Sequence, residues 1–133
     1  MVLLILLVLA LFVVQTLLPG RFREPRPDGL KDKLVENLGN RDQVRPLTVV
    51  GQRAARALAN MHEALPVFLA LALLNMIVGT AAASAITGAT LFLIARVLYV
   101  GIYLAGIAVV RTLIWAVGWA GLVMMIVPLM DKI

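Results

Sequence analysis

Eight polar side chains lie in otherwise apolar sequence, at spacings that could do chemistry. Arg53, Arg56, Asn60 and Glu63 recur at i, i+3, i+7 and i+10, which confines them to an arc of about 80° on a helix. Arg96, Tyr99 and Tyr103 recur at i, i+3 and i+7, an arc of about 60°. Arg111 follows them. Four arginines against one internal carboxylate leave an excess of positive charge, which an anionic ligand would balance. The plainer alternative is that Glu63 and Arg96 form a buried pair fixing helix packing, while Arg53 and Arg56 snorkel to lipid phosphates.

The elements that must position these residues are membrane helices. Hydrophobic residues make up 62% of the 133-residue chain and charged residues 14%, with a mean hydropathy of +1.01; soluble domains are about half apolar and about a quarter charged. A hydrocarbon core of about 30 Å needs roughly 20 helical residues per crossing, so the apolar stretches predict four spans, approximately 2–18, 57–79, 84–106 and 112–130, in a single domain over 1–133. Residues 2–18 are uncharged and read as a span rather than a signal peptide, because they lack a basic start and an Ala-x-Ala cleavage site. Between Ala64 and Ala95 no charge occurs, too long a run for one span and too short for two, and the break falls at 79–84. Counting from that break at 1.5 Å per residue puts Glu63 about 24 Å and Arg96 about 18 Å away, at membrane depth on adjacent antiparallel helices. Charge at that depth costs several kcal/mol and normally faces the protein interior, so the two stripes are expected to face one another with Glu63 and Arg96 in contact, within or between subunits.

Seven of the twelve basic residues lie between Arg21 and Arg45. That clustering reports topology rather than nucleic-acid binding: Lys and Arg accumulate on the cytoplasmic side, so the polar loop 19–47 is expected in the cytoplasm. Within it, Asp28 could cap a short surface helix ending at Gly39, with Leu30, Leu34 and Leu38 on one face. Cysteine is absent and His62 is the sole histidine, which excludes disulfides, a cysteine nucleophile and a multi-histidine metal site; any thiol must come from outside. His62 lies about 180° from Arg53 around its helix and reads as a packing or interfacial residue. Trp115 and Trp119 read as packing and interface anchors. Gly101 with Ala105, and Ala116 with Ala120, would allow close helix contact.

The run Arg53-Ala-Ala-Arg56-Ala-Leu-Ala-Asn60-Met-His-Glu63-Ala-Leu-Pro66 resembles the helix-two signature R-A-x-x-N-x-x-E-x-x-P of the MAPEG family, the membrane-associated proteins in eicosanoid and glutathione metabolism. Ala95-Arg96-Val-Leu-Tyr99-Val-Gly-Ile-Tyr103 is similar to its helix-three segment A-R-x-x-Y-x-x-x-Y. The resemblance covers helices two to four. It implies an all-α, four-transmembrane-helix bundle of bacterial type, in the inner membrane, that assembles as a homotrimer with glutathione bound between subunits near the cytoplasmic side. Arg56, Asn60 and Glu63 would bind glutathione, joined by Arg53, Arg96, Tyr99 and Tyr103: arginine forks take the peptide's carboxylates and Glu63 its ammonium. Arg111 is the position implied for stabilising the glutathione thiolate as catalytic residue. The implied function is a glutathione-dependent transferase or peroxidase acting on lipophilic electrophiles or lipid hydroperoxides, glutathione serving as co-substrate.

Two positions depart from the family pattern. The tyrosine that often follows the helix-two glutamate is Ala64, and Arg111 lies eight residues after Tyr103, one more than in the eicosanoid-synthesising members. One extra residue rotates a side chain by about 100° on a continuous helix, so Arg111 reaches the sulfur only if the turn before helix four absorbs it. The rival functions are a non-catalytic member of the same fold that presents lipid to a partner, and a small four-span transporter; the uncharged first span speaks against transport.

Overall fold

A computed structural model describes residues 1–25, 45–79 and 83–132. Among these, four helices are each long and apolar enough to cross a membrane: α1 (Val2–Arg21), α2 (Val49–Ile77), α3 (Ala83–Ala105) and α4 (Ala108–Met130). The expected short helix from Asp28 to Gly39 lies outside the described residues.

Local chemistry sets the helix ends. α1 is an uninterrupted leucine- and valine-rich run that stops one turn after Pro19, where the Phe22 N–H bonds the Pro19 carbonyl. The two ends of the polar loop are clasped beside it. Arg23 and Leu47 form an antiparallel bridge, Arg23 donates to the Arg45 carbonyl and Arg45 to that of Glu24. The Thr48 hydroxyl caps α2 by accepting from the Gly51 N–H at 3.2 Å while donating to the Phe22 carbonyl at 2.9 Å, satisfying one of the orphan donors of a helix start. Gly51 itself lies against the Phe22 carbonyl, where a Cβ would collide. α2 starts eight residues before the expected span, and its 29 residues cover about 44 Å, more than the roughly 30 Å of hydrocarbon. Its first turns, which carry Arg53 and Arg56, therefore reach past the apolar layer at the loop end.

Inside the bundle, Val8 of α1 joins Met61, Ala64, Leu65, Phe68 and Ala72 of α2, Ala89 and Phe92 of α3, and Leu122 and Met125 of α4 in one core. Phe68 and Phe92 stack at 4.8 Å with 9° between their planes, tying α2 to α3. α3 and α4 approach closest at Gly88 and Gly121, where a Cβ on either would sit 2.5–2.6 Å from the other's carbonyl oxygen. Buried Asn75 donates its Nδ2 to the Met125 carbonyl at 2.9 Å, fastening α2 to α4 far from the loop.

The small-residue pairs expected at the close contacts do not form them. A Cβ on Gly101 would meet nothing within 4 Å, and Ala105, Ala116 and Ala120 are exposed. The inward face of α4 is Gly118, Gly121, Leu122, Met125 and Pro128, and Ala116 and Ala120 lie about 160–200° around the helix from Gly118. Most of the surface of every helix remains outward and apolar, with as little as 11% of the most apolar stretch of α1 buried. In water such a surface would be unsustainable; in hydrocarbon it is the ordinary solvent-facing surface. The chain is an integral, multi-pass membrane protein.

Candidate functional site

The polar stripes of α2 and α3 meet at the loop end of the bundle, and the structure sorts their members into four different situations. Arg96 lies deepest, 2% exposed. Its Nη1 donates to Asn60 Oδ1 at 2.5 Å, across from α3 to α2. The guanidinium carbon stands 5.0 Å from the Phe92 ring centroid and 5.6 Å from that of Tyr99, a geometry in which aromatic faces partly replace lost hydration. Nε and Nη2 have no partner among the described residues, and they lie beside Gly118, where a Cβ would stand at ordinary contact distance, 3.8–4.0 Å away.

The expected contact between Glu63 and Arg96 is absent within one chain. Arg96 turns inward to Asn60, whereas Glu63, three residues further along α2, is exposed on the outer side. Arg56 is exposed as well.

Arg53 has a different task. Its Nη1 donates to the Leu104 carbonyl at 3.1 Å, one of the last carbonyls of α3, which the helix itself leaves unsatisfied. The guanidinium fills the space over Gly106, where a Cβ would lie 2.6 Å from its carbon. Gly106 has φ +81°, a left-handed conformation that glycine adopts without strain. With Ile107 extended as the N-cap of α4, this turn breaks the helical register between Tyr103 and Arg111. Across it, the Arg111 guanidinium carbon sits 4.8 Å from the Tyr103 ring centroid, and Tyr103 packs edge-on against Tyr99 at 5.3 Å.

A cavity of about 240 Å³ opens at this point, lined by Asn60, Tyr99, Tyr103, Arg111, Thr112 and Trp115. Four of the residues singled out in the sequence thus share one wall, Arg96 stands behind it, Arg53 braces the turn above it, and Arg56 and Glu63 are exposed outside its lining. Thr112 and Trp115 were not foreseen as site residues. Trp115 follows Arg111 by four residues and shares its face of α4, a spacing that would have pointed to it once the turn was known, whereas Thr112 lies about 100° around the helix and carried no such signal. The lining is rich in donors: the Arg111 guanidinium, the hydroxyls of Tyr99 and Tyr103 and the Asn60 amide, while the Thr112 hydroxyl donates to the Ala108 carbonyl at 3.2 Å. It suits a ligand of acceptor oxygens, carboxylates or a thiolate.

His62 lies elsewhere, with Nδ1 3.0 Å from the Leu58 carbonyl and its ring edge-on to Phe12 of α1 at 5.1 Å. Ala64 is buried in the core, so a tyrosine at that position would have no space in this packing. Among the described residues no group of three His, Cys, Asp or Glu could hold a metal ion.

No curated protein and no solved structure matches the chain. The family model of the MAPEG family matches residues 1–130, nearly the whole chain, and spans both polar stripes and the turn that carries Arg111. With four apolar helices of spanning length and one domain-wide match, the chain belongs to the MAPEG family, whose members are four-helix membrane bundles with roles in glutathione-dependent transfer and peroxide reduction or in eicosanoid metabolism.

Proposed function

We propose that the chain is a single membrane domain over residues 1–133, working as a homotrimer, in which glutathione binds near the loop end and serves as co-substrate of a transferase or peroxidase. The second substrate is a lipophilic electrophile or a lipid hydroperoxide drawn from the bilayer. The observation that carries this reading is the Arg111 guanidinium, held over Tyr103 at the wall of a donor-lined cavity that also holds Asn60 and Tyr99.

Two further observations support assembly around that cavity. Exposed Glu63 would cost several kcal/mol if it faced lipid at depth, and a neighbouring protomer with a zwitterionic peptide between the two would take up its charge. The cavity's 240 Å³ also falls below the roughly 300–1,000 Å³ of ordinary small-molecule sites, as a half-site would. The basic character of loop 19–47 supports a cytoplasmic position for this end of the bundle by the positive-inside rule, where free glutathione is available.

The chemistry needs only an activated sulfur. A thiol with a pKa near 8.5 is a few per cent ionised at neutral pH, and each unit of lowering takes about 1.4 kcal/mol of preferential stabilisation of the thiolate. Arg111 supplies a fixed cation for that purpose. The thiolate attacks the electrophilic carbon, the C–S bond forms, and the leaving group departs with its electron pair. With a hydroperoxide the sulfur attacks the terminal oxygen and the O–O bond breaks. The alkoxide takes a proton to become an alcohol, and the sulfenic acid left on glutathione is reduced by a second glutathione to the disulfide and water.

The test is conjugation of glutathione to a generic aromatic halide by the purified protein, with thiolate absorbance recorded in parallel. Arg111→Ala is expected to lose roughly 100-fold or more in rate together with the thiolate signal. Undiminished conjugation in that variant removes Arg111 from the chemistry. Glutathione binding without conjugation by the unaltered protein leaves a lipid-presenting, non-catalytic member of the family.

A further inference from the structure

Arg96 was expected among the residues that touch glutathione, yet its side chain lies behind the cavity wall and does not line the cavity. Its one hydrogen bond among the described residues goes to Asn60, which does line it. An arginine has donors and no acceptor, so the Asn60 atom it meets can only be the amide oxygen. Rotation of the amide by half a turn would set NH₂ against guanidinium, two donors face to face with a buried cation behind them. The orientation of Asn60 is thereby fixed from the rear: Oδ1 points inward to Arg96, and Nδ2 is the group left for the cavity.

We propose that Arg96 is a positioning residue that makes Asn60 an obligate donor, offering Nδ2 to an acceptor oxygen of the bound peptide. The proposal rests on the glutathione reading above and gives Asn60 a direction within it. An asparagine free to flip would accept an ammonium or donate to a carbonyl equally well. Held by Arg96, it selects the second. The burial of Arg96 supports a fixed arrangement: with Phe92 and Tyr99 against its guanidinium and Gly118 beside its remaining N–H groups, Asn60 Oδ1 is the acceptor that Arg96 has among the described residues. Releasing it would leave a buried cation with no hydrogen bond at all, which the low-dielectric interior penalises heavily.

The experiment uses the full chain in lipid nanodiscs, with glutathione affinity from equilibrium dialysis and thermal stability measured without glutathione. Asn60→Asp keeps the shape of the side chain, gives Arg96 a counter-ion, and presents an acceptor oxygen to the cavity in place of Nδ2. It is expected to raise the melting temperature while weakening glutathione binding by about tenfold or more. The rise should vanish in Arg96→Met, which removes the paired cation. Asn60→Ala and Asn60→Ala with Arg96→Met should bind glutathione equally weakly, because Arg96 acts only through the amide. If the double variant binds far more weakly than Asn60→Ala, Arg96 touches the ligand itself and the proposal is overturned. Should the Arg96 variants fail to fold, Asn60→Asp decides alone: lowered stability, or glutathione binding as tight as in the unaltered protein, overturns it. Absence of glutathione binding in the unaltered protein defeats the glutathione reading, whereas the stability gain of Asn60→Asp still reports the amide's direction.

Discussion

Gly106→Ala is the substitution whose effect the structure specifies most fully. Two costs add. The backbone holds φ +81° at this position, and an L side chain there costs about 1–2 kcal/mol. The new Cβ would also lie 2.6 Å from the carbon and one nitrogen of the Arg53 guanidinium. That group is the far end of a flexible side chain, so it would swing away rather than force the backbone apart, and its bond to the Leu104 carbonyl would be lost. A hydrogen bond from a charged donor is worth about 1.5–3 kcal/mol; Arg53 is only partly buried, and about 1 kcal/mol is the fitting share once solvent replaces some of it. The sum is a loss of about 2–3 kcal/mol. Denaturant unfolding of the purified protein in mixed micelles measures it, and the decisive form is a double-mutant cycle. In an Arg53→Ala background the alanine should cost only the backbone share, a difference of about 1 kcal/mol from its cost in the unaltered protein. Equal costs in both backgrounds would mean that Arg53 does not rest on the turn, and the account of how Arg111 is brought to Tyr103 would fail with it.

The other expectations concern the packing that keeps the cavity walls in place. Gly88→Ala would put a Cβ 2.5 Å from the Gly121 carbonyl oxygen and 2.9 Å from Met124 Cβ; α3 and α4 must separate, at a cost of about 1–3 kcal/mol, and unchanged unfolding would refute the close contact. Asn75→Leu removes the bond to the Met125 carbonyl and should destabilise by about 0.6–1.7 kcal/mol, the range for interhelical hydrogen bonds in membranes; a gain in stability by the same assay would show that α2 and α4 are not fastened there.

The sequence by itself determined that this chain enters a membrane, that it crosses four times, and that two polar stripes on the second and third spans lie at comparable depth. These follow from one-dimensional quantities: hydrocarbon thickness sets how many apolar residues make a span, and the 100° step of the helix sets which residues share a face. Fold and membrane placement were legible for that reason. The same arithmetic gave Asn60, Tyr99 and Tyr103 as candidates, the family resemblance added Arg111, and these four line one cavity. Helical phase gives the direction in which a side chain leaves its own axis and says nothing of what stands opposite. Arg53, Arg56, Asn60 and Glu63 occupy one arc, yet Arg53 turns to the carbonyl of Leu104, Asn60 meets Arg96, and Arg56 and Glu63 stay exposed. Which small residues meet a neighbouring helix was likewise not legible, because they recur on both faces of α4 and only the packed bundle selects Gly118 and Gly121 as the inner one. Only tertiary structure could decide whether Arg111 meets Tyr103, since the answer lies in a single left-handed glycine and the arginine seated over it. A long side chain chooses among partners that differ by a few ångströms and about 1 kcal/mol each, and that choice is made by neighbours brought from distant parts of the chain.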